Sequence, residues 1–376
     1  MRGYTLAERT SQPTVTMWRY GFGLTSVGAV ITSTNQNANV LNLLESKWDF
    51  SHAARGDDWR EGRCPVGHYQ SPIDLPHFDV DAVNNEPNRS FSYSYQAYGK
   101  PIAMRNTGHG LSVDLMGTGI GGVTFDDAWY DALAINFRAR GEHTFEGFRP
   151  MGEVQIVHKK EGAATLLVTA FPLAAEVDPE QKIVNVDAVE NPDRVLFVGN
   201  TSDQSVTEQQ YLDALAPILG SQGLESYPDD EVLEGLVYAL DTSLPAPHVT
   251  QDVEYNPLAP FDLNLWFDPS GTGAGETFLH YYGSLTTPPC AEDVHWLVRG
   301  DPVRVSNDQM RSIFGSLTSI VPGGNYRAIH PKGDREVTTM LAKQGPAHSV
   351  AKPPDTKNAA PSSRAEKVNS IVADAV

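Results

Sequence analysis

Positive charge is scarce in this chain. Lys and Arg number 28 against 47 Asp and Glu, a formal net charge of -19 at pH 7. Nucleic acid and anionic membrane surfaces both require a basic counterpart, so neither is an expected partner. Solubility alone also favours such acidity. No apolar run is long enough to span a bilayer, and no repeat of fixed period is present. Cysteine is almost absent, and Cys64 and Cys290 lie far apart, so from composition alone two buried thiols remain an open reading. The rest is globular: 40% hydrophobic and 20% charged, with 32 Gly and 26 Pro that imply many turns. A length of 376 residues allows one large domain or two ordinary ones, with a substantial core.

Residues 1–44 are rich in Ser, Thr and Asn and carry Arg2, Arg9 and Arg19 against the single acid Glu8. That balance is expected of a targeting segment, the alternative being a structural extension. Residues 343–376 are polar and rich in Pro, Ala and Ser, and are expected to be a disordered tail.

Two stretches in the middle read as strands. Ile135-Asn136-Phe137-Arg138 alternates apolar and polar residues, so Asn136 and Arg138 share one face. In Glu153-Val154-Gln155-Ile156-Val157-His158 the shared face carries Glu153, Gln155 and Val157, and Gly141-Glu142-His143-Thr144 reads as a polar turn between the two strands. This polar row is either the wet side of a sheet or the lining of a site. Upstream, Trp48, Phe50 and Trp59 suggest an aromatic loop layer packed on a core, and His109 lies in a turn before the strand Leu111–Leu115. A histidine there is either merely solvated or a proton carrier.

Near the far end stands Tyr281-Tyr282-Gly283-Ser284-Leu285-Thr286-Thr287-Pro288-Pro289-Cys290, with Trp296 ten residues after Thr286. This stretch resembles the signature of the alpha-class carbonic anhydrases. Gln70-Ser71-Pro72-Ile73-Asp74, Asn106-x-Gly108-His109, Glu142-His143-Thr144 and Asn325-Tyr326-Arg327 follow the same family's order. The resemblance implies an α+β fold, mainly β with peripheral helices, around a large, twisted, mostly antiparallel central sheet spanning about residues 45–342. It also implies a Cys64–Cys290 bridge, which by chain entropy would contribute roughly 4–5 kcal/mol. Such a bridge persists in an oxidising compartment, so an organelle lumen or secretion is the expected location.

Family enzymes hold zinc through an H-x-H pair on one strand and a third histidine on its neighbour. The resemblance places those ligands at Asn136, Arg138 and Gln155, and none is histidine. The eleven histidines include no H-x-H anywhere. Asn and Gln offer weak neutral oxygens and Arg has no lone pair, so zinc is expected to be absent and no catalytic residue is expected. Around that centre the family's supporting groups are matched by Glu142 and Thr286, by Glu153, and by Tyr281 and His143. Val157, Val168, Leu285 and Trp296 match the pocket walls, His109 matches the proton shuttle, and Ala134 departs from the family's usual Gln. Carboxylates kept without the metal would be uncompensated, and Arg138 can supply the missing charge by bonding Glu142 or Glu153 in a fork. Arg138, the Thr286 backbone and His109 are also a candidate site for a small anion such as bicarbonate.

A helical insertion is expected at about 175–256. Thr207-Glu208-Gln209-Gln210 is a capping-box pattern, and a second helix is expected from Asp229-Asp230 with Leu233, Leu236, Val237 and Leu240 on one face. It either packs on the parent sheet or offers a surface to a protein partner. The expected function is therefore that of a catalytically inactive carbonic anhydrase-like protein. It would serve as a binding or structural subunit of a larger assembly, meeting protein partners through the insertion and the terminal segments. The alternative is CO2 hydration or ester hydrolysis at a non-standard site.

Overall fold

Period-two alternation builds the strands that make up most of the regular structure among the described residues. The computed structural model describes residues 48–50, 55–76, 89–99, 101–147, 149–175, 182–185, 195–198, 227–253, 262–273 and 275–347. In chain order the first strands are β1 (Asp74–Leu75), β2 (Ser90–Tyr95), β3 (Ile102–Asn106), β4 (Leu111–Asp114), β5 (Gly121–Phe125) and β6 (Ala128–Ala139). Next come β7 (Thr144–Phe145), β8 (Gly152–Lys160), β9 (Leu166–Ala174), β10 (Lys182–Asn185) and β11 (Val195–Val198). The last are β12 (Thr250–Val253), β13 (Thr277–Ser284), β14 (Glu292–Arg299), β15 (Val303–Arg304) and β16 (Thr338–Gln344). The described α-helices are α1 (Glu231–Ser243) and α2 (Asn307–Ile320).

A 12-stranded mixed sheet runs β12-β3-β4-β6-β5-β2-β16-β13-β14-β9-β15, with β8 bridging β6 and β9. Most pairs are antiparallel; β9 with β14, β9 with β15, and β2 with β16 are parallel. The length of β6 explains its central place. One edge meets β5 and then β4, while the other pairs with β8 along nearly its whole course. The stretch 141–144 is not wholly a turn. Thr144 starts β7, which pairs in parallel with β1 some seventy residues earlier in sequence.

Both faces of the sheet are covered. Phe278 on β13 points into the larger core with Phe91, Phe171 and Phe267, whereas Leu279 and Tyr281 point into a second cluster with Val157, Val168, Leu285 and Trp296. A third cluster joins Phe50 and Trp59 to Val321 and the disulfide. Cys64 and Cys290 are bridged with their α-carbons 5.0 Å apart, closing 226 residues of chain. A loop of that length corresponds to a stabilisation of about 5 kcal/mol in the chain-entropy account.

The helices follow their sequence signals. Asp230 caps α1 by accepting the Leu233 N–H, and Leu233, Leu236, Val237 and Leu240 all enter the larger core. Burying each such leucine contributes about 1.5–3 kcal/mol. Helix α2 opens on a capping box, Ser306 with Gln309, and buries Met310, Ile313, Phe314 and Leu317 at helical spacing. The Gln309 amide also clasps the entry to α1, accepting the Asp230 N–H at 2.8 Å and donating to the Asp230 carbonyl at 2.9 Å. Beside it the Val305 N–H donates to the Ala174 carbonyl at 3.0 Å.

The helix expected from Thr207 and the segment 1–44 lie outside the described residues. Of the expected tail, Lys343 and Gln344 belong to β16, and residues from 348 onward lie outside the description.

Candidate functional site

The register of β6 on β8 sets Asn136 opposite Gln155 and Arg138 opposite Glu153, so the polar side chains of both strands project from one face. That face is not wet. Asn136 is 6% and Arg138 7% exposed, and Gln155 and Glu153 are buried still deeper. A buried polar layer is stable only where its members satisfy each other.

Glu153 is satisfied from four sides. Its Oε2 accepts the backbone N–H groups of Glu142 and His143, both at 3.0 Å. Its Oε1 faces His143 Nδ1 at 3.0 Å and accepts from Gln155 Nε2 at 2.8 Å. Burial alone would raise this carboxyl, but the charge and hydrogen bonds of His143, with the Gln155 amide, bring it down to about 2. His143 Nε2 meets the Tyr281 hydroxyl at 2.7 Å, and that hydroxyl donates to Ser71 Oγ at 2.9 Å. Burial holds the Tyr281 phenol well above its usual range.

Glu142 is satisfied differently. Its Oε1 accepts the Arg327 N–H at 3.0 Å; its Oε2 accepts Arg138 Nε at 3.1 Å and Gln155 Nε2 at 2.7 Å. The Arg138 Nη2 reaches Thr286 Oγ1 at 3.5 Å. Arg138 therefore bonds Glu142 through one nitrogen and turns a second to Thr286, rather than forking onto a single carboxylate. Arg327 in turn is held by Gln70 Oε1 at 3.0 Å and the Ser71 carbonyl at 2.9 Å. Burial lowers its guanidinium to about 10 against the opposing pull of Glu142.

Arg138, Glu142, Glu153, Gln155, Thr286 and Tyr281 thus belong to one hydrogen-bonded group. Asn136 joins it by register, and its amide makes no hydrogen bond to another described residue. His109 stands apart. Its ring stacks on Trp48 at 3.9 Å, and burial, with His248 nearby, lowers its pKa. It is therefore neither freely solvated nor bonded to the Arg138 group among the described residues. Sequence reasoning missed two elements here: the single Gln155 amide that bonds both carboxylates, and the Arg327 backbone N–H on Glu142. The motif Asn325-Tyr326-Arg327 signalled that region without revealing the contact.

Comparison with known proteins places this arrangement in a family. A family model described as eukaryotic-type carbonic anhydrase matches residues 54–171 and 235–341. The chain belongs to that family. Carbonic anhydrase 6 of Bos taurus is 26% identical over 311 residues, covering 78% of this chain and 80% of the relative. Carbonic anhydrase 6 of Homo sapiens is 23% identical over 314 residues, covering 80% and 85% respectively. Among solved structures, carbonic anhydrase Cah3 from Chlamydomonas reinhardtii in complex with acetazolamide has a TM-score of 0.50 at 22% identity. It covers 78% of this chain and 99% of its own, and supports the fold.

Family members normally use zinc, and the residues here do not fit it. Tetrahedral zinc takes neutral imidazole, thiolate or carboxylate donors with an open fourth position. The pocket offers two amides and a guanidinium, whose charge repels a cation and whose nitrogens have no lone pair to give. The carboxylate oxygens of Glu142 and Glu153 are turned to N–H donors. Among the described residues no three of His, Cys, Asp and Glu converge to hold a metal.

Proposed function

We propose that this chain is a carbonic anhydrase-family protein that does not hydrate CO2 and acts as a binding or structural subunit of a larger assembly. The observation that carries this reading is the Arg138 guanidinium, bonded to Glu142 and turned to Thr286. A fixed positive charge on β6 meets the electrostatic need of Glu142 but cannot polarise a water as a metal ion would. The disulfide supports an oxidising compartment. The family match leaves out residues 172–234 and both ends of the chain, the regions from which a partner surface would be drawn. Arg138 Nη1 makes no hydrogen bond to a described residue, and a small anion such as bicarbonate would dock there.

Stopped-flow CO2 hydration by the purified full-length protein tests the catalytic half of the proposal. The expected rate is that of buffer alone; turnover abolished by Gln155→Leu would overturn the reading. Sizing of the untagged protein from its native source tests the other half. A stoichiometric complex is expected, and a bare monomer would refute the subunit role.

A further inference from the structure

Alternation on β13 sends Tyr281 to the pocket side and His280 and Tyr282 to the opposite face. There His280 pairs with Thr338 of β16, and His295 of β14 lies opposite Tyr282, so the two histidines are diagonal neighbours on one face. Nε2 of His280 and Nδ1 of His295 are 3.2 Å apart, with ring centroids at 5.5 Å and planes inclined by 24°. Phe125 packs 4.9 Å from each ring, and the Tyr282 ring stands edge-on to His295 at 5.3 Å. Both imidazoles are partly exposed. Among the described residues, none of the Arg138 group bonds to this pair.

We propose that His280 and His295 form a binding site for a divalent transition-metal ion of the imidazole-preferring kind, copper above nickel and zinc. The argument begins with distance. Two imidazole nitrogens bound to one ion at about 2.0–2.1 Å are about 3.3–3.4 Å apart in tetrahedral geometry, and about 2.9 Å apart as neighbours in a square plane. The observed separation falls between these values, so the ion enters by tilting the rings rather than by moving strands.

One tautomer suits the same outcome. With the His280 Nδ1–H directed at Thr338 Oγ1, 3.5 Å away, the Nε2 lone pair faces inward. His295 then supplies the bridging proton from Nδ1 when no ion is present. On binding, that proton moves to the His295 Nε2 through solvent, two nitrogen–metal bonds replace two aqua ligands, and no net proton is released. Near the pair, Asp126 and Asp293 stand against Lys160 and Arg89, two charges of each sign. No third described His, Cys, Asp or Glu completes the shell, which leaves the remaining positions to water. The site is therefore an exchangeable one.

The test is a titration of chelator-stripped full-length protein with Cu²⁺, read by electron paramagnetic resonance and calorimetry. One saturable site with superhyperfine coupling to two nitrogens is expected. His280→Gln and His295→Gln should each weaken it by about tenfold or more, as should Thr338→Val through its hold on His280. His109→Gln and Gln155→Leu should leave it unchanged. In the unsubstituted protein, Cu²⁺ should broaden the imidazole resonances of His280 and His295 first, which keeps the test decisive should a variant fold poorly. Non-saturable binding, undiminished affinity in both glutamine variants, or broadening elsewhere first would overturn the proposal. Loss confined to Gln155→Leu would place the ion in the pocket and refute the pocket reading as well.

Discussion

Glu142 and Glu153 are both fully buried and share one amide, that of Gln155, yet their charges are met by different means. Glu153 draws on two backbone N–H groups and His143, all supplied by the loop and strand that surround it. Glu142 has one backbone N–H, and its only ion-pair partner among the described residues is Arg138. The first carboxylate is held largely by the backbone around it, and the charge of the second is met by one side chain, Arg138, at a position where the family resemblance places a metal ligand. A buried charge left without its partner costs several kcal/mol, so the two sites differ in how much one substitution can undo.

The largest expected effect follows directly. Arg138→Met should destabilise the protein by about 3–5 kcal/mol in urea unfolding, and adding Glu142→Gln should recover most of that loss. A loss below about 1 kcal/mol would show that Glu142 does not depend on Arg138.

Acid sharpens the same contrast. Glu153, brought down to about 2, contributes stability that is full above the unfolded value of 4.5 and fades as pH falls toward 2. His158 and His330, lowered by burial to about 3, are neutral when folded, whereas the unfolded chain takes up protons below 6.5. Stability should therefore begin to fall below pH 6.5 and fall faster below 4.5, as followed by thermal unfolding across pH. Stability that holds level between pH 7 and pH 3 would break this expectation.

Gln155→Leu removes a donor from both carboxylates and should cost about 1–3 kcal/mol by the same urea measurement, less than Arg138→Met. The smallest effect concerns His109. Trp48→Leu should unstack its ring and let its pKa rise toward 6.5, with little change in unfolding midpoint; an unmoved NMR titration would show that Trp48 is not what shields it.

Much of this was legible in residue order. Alternation marked Asn136 with Arg138 and Glu153 with Gln155 on shared faces, and the Asp230 cap with Leu233, Leu236 and Leu240 marked α1. What alternation cannot report is whether a polar face is wet. The row on β6 and β8 is met by groups from distant parts of the chain, the Arg327 backbone at Glu142 and Thr286 at Arg138. The Gln155 bridge depends on the register of β8 against β6, and the short β7 on a partner far upstream, so neither leaves a local trace.

The contacts around Val305 and Gln309 have a consequence for how this protein could be rebuilt. Ala174, where the parent sheet is left, and Asp230, where the core is rejoined, are each pinned by the same short run just ahead of and within α2. Closing a longer or shorter excursion between fixed ends changes the free energy only logarithmically, by about 0.6 kcal/mol per doubling. Both ends of that excursion are thus held by bonds to residues that lie outside it.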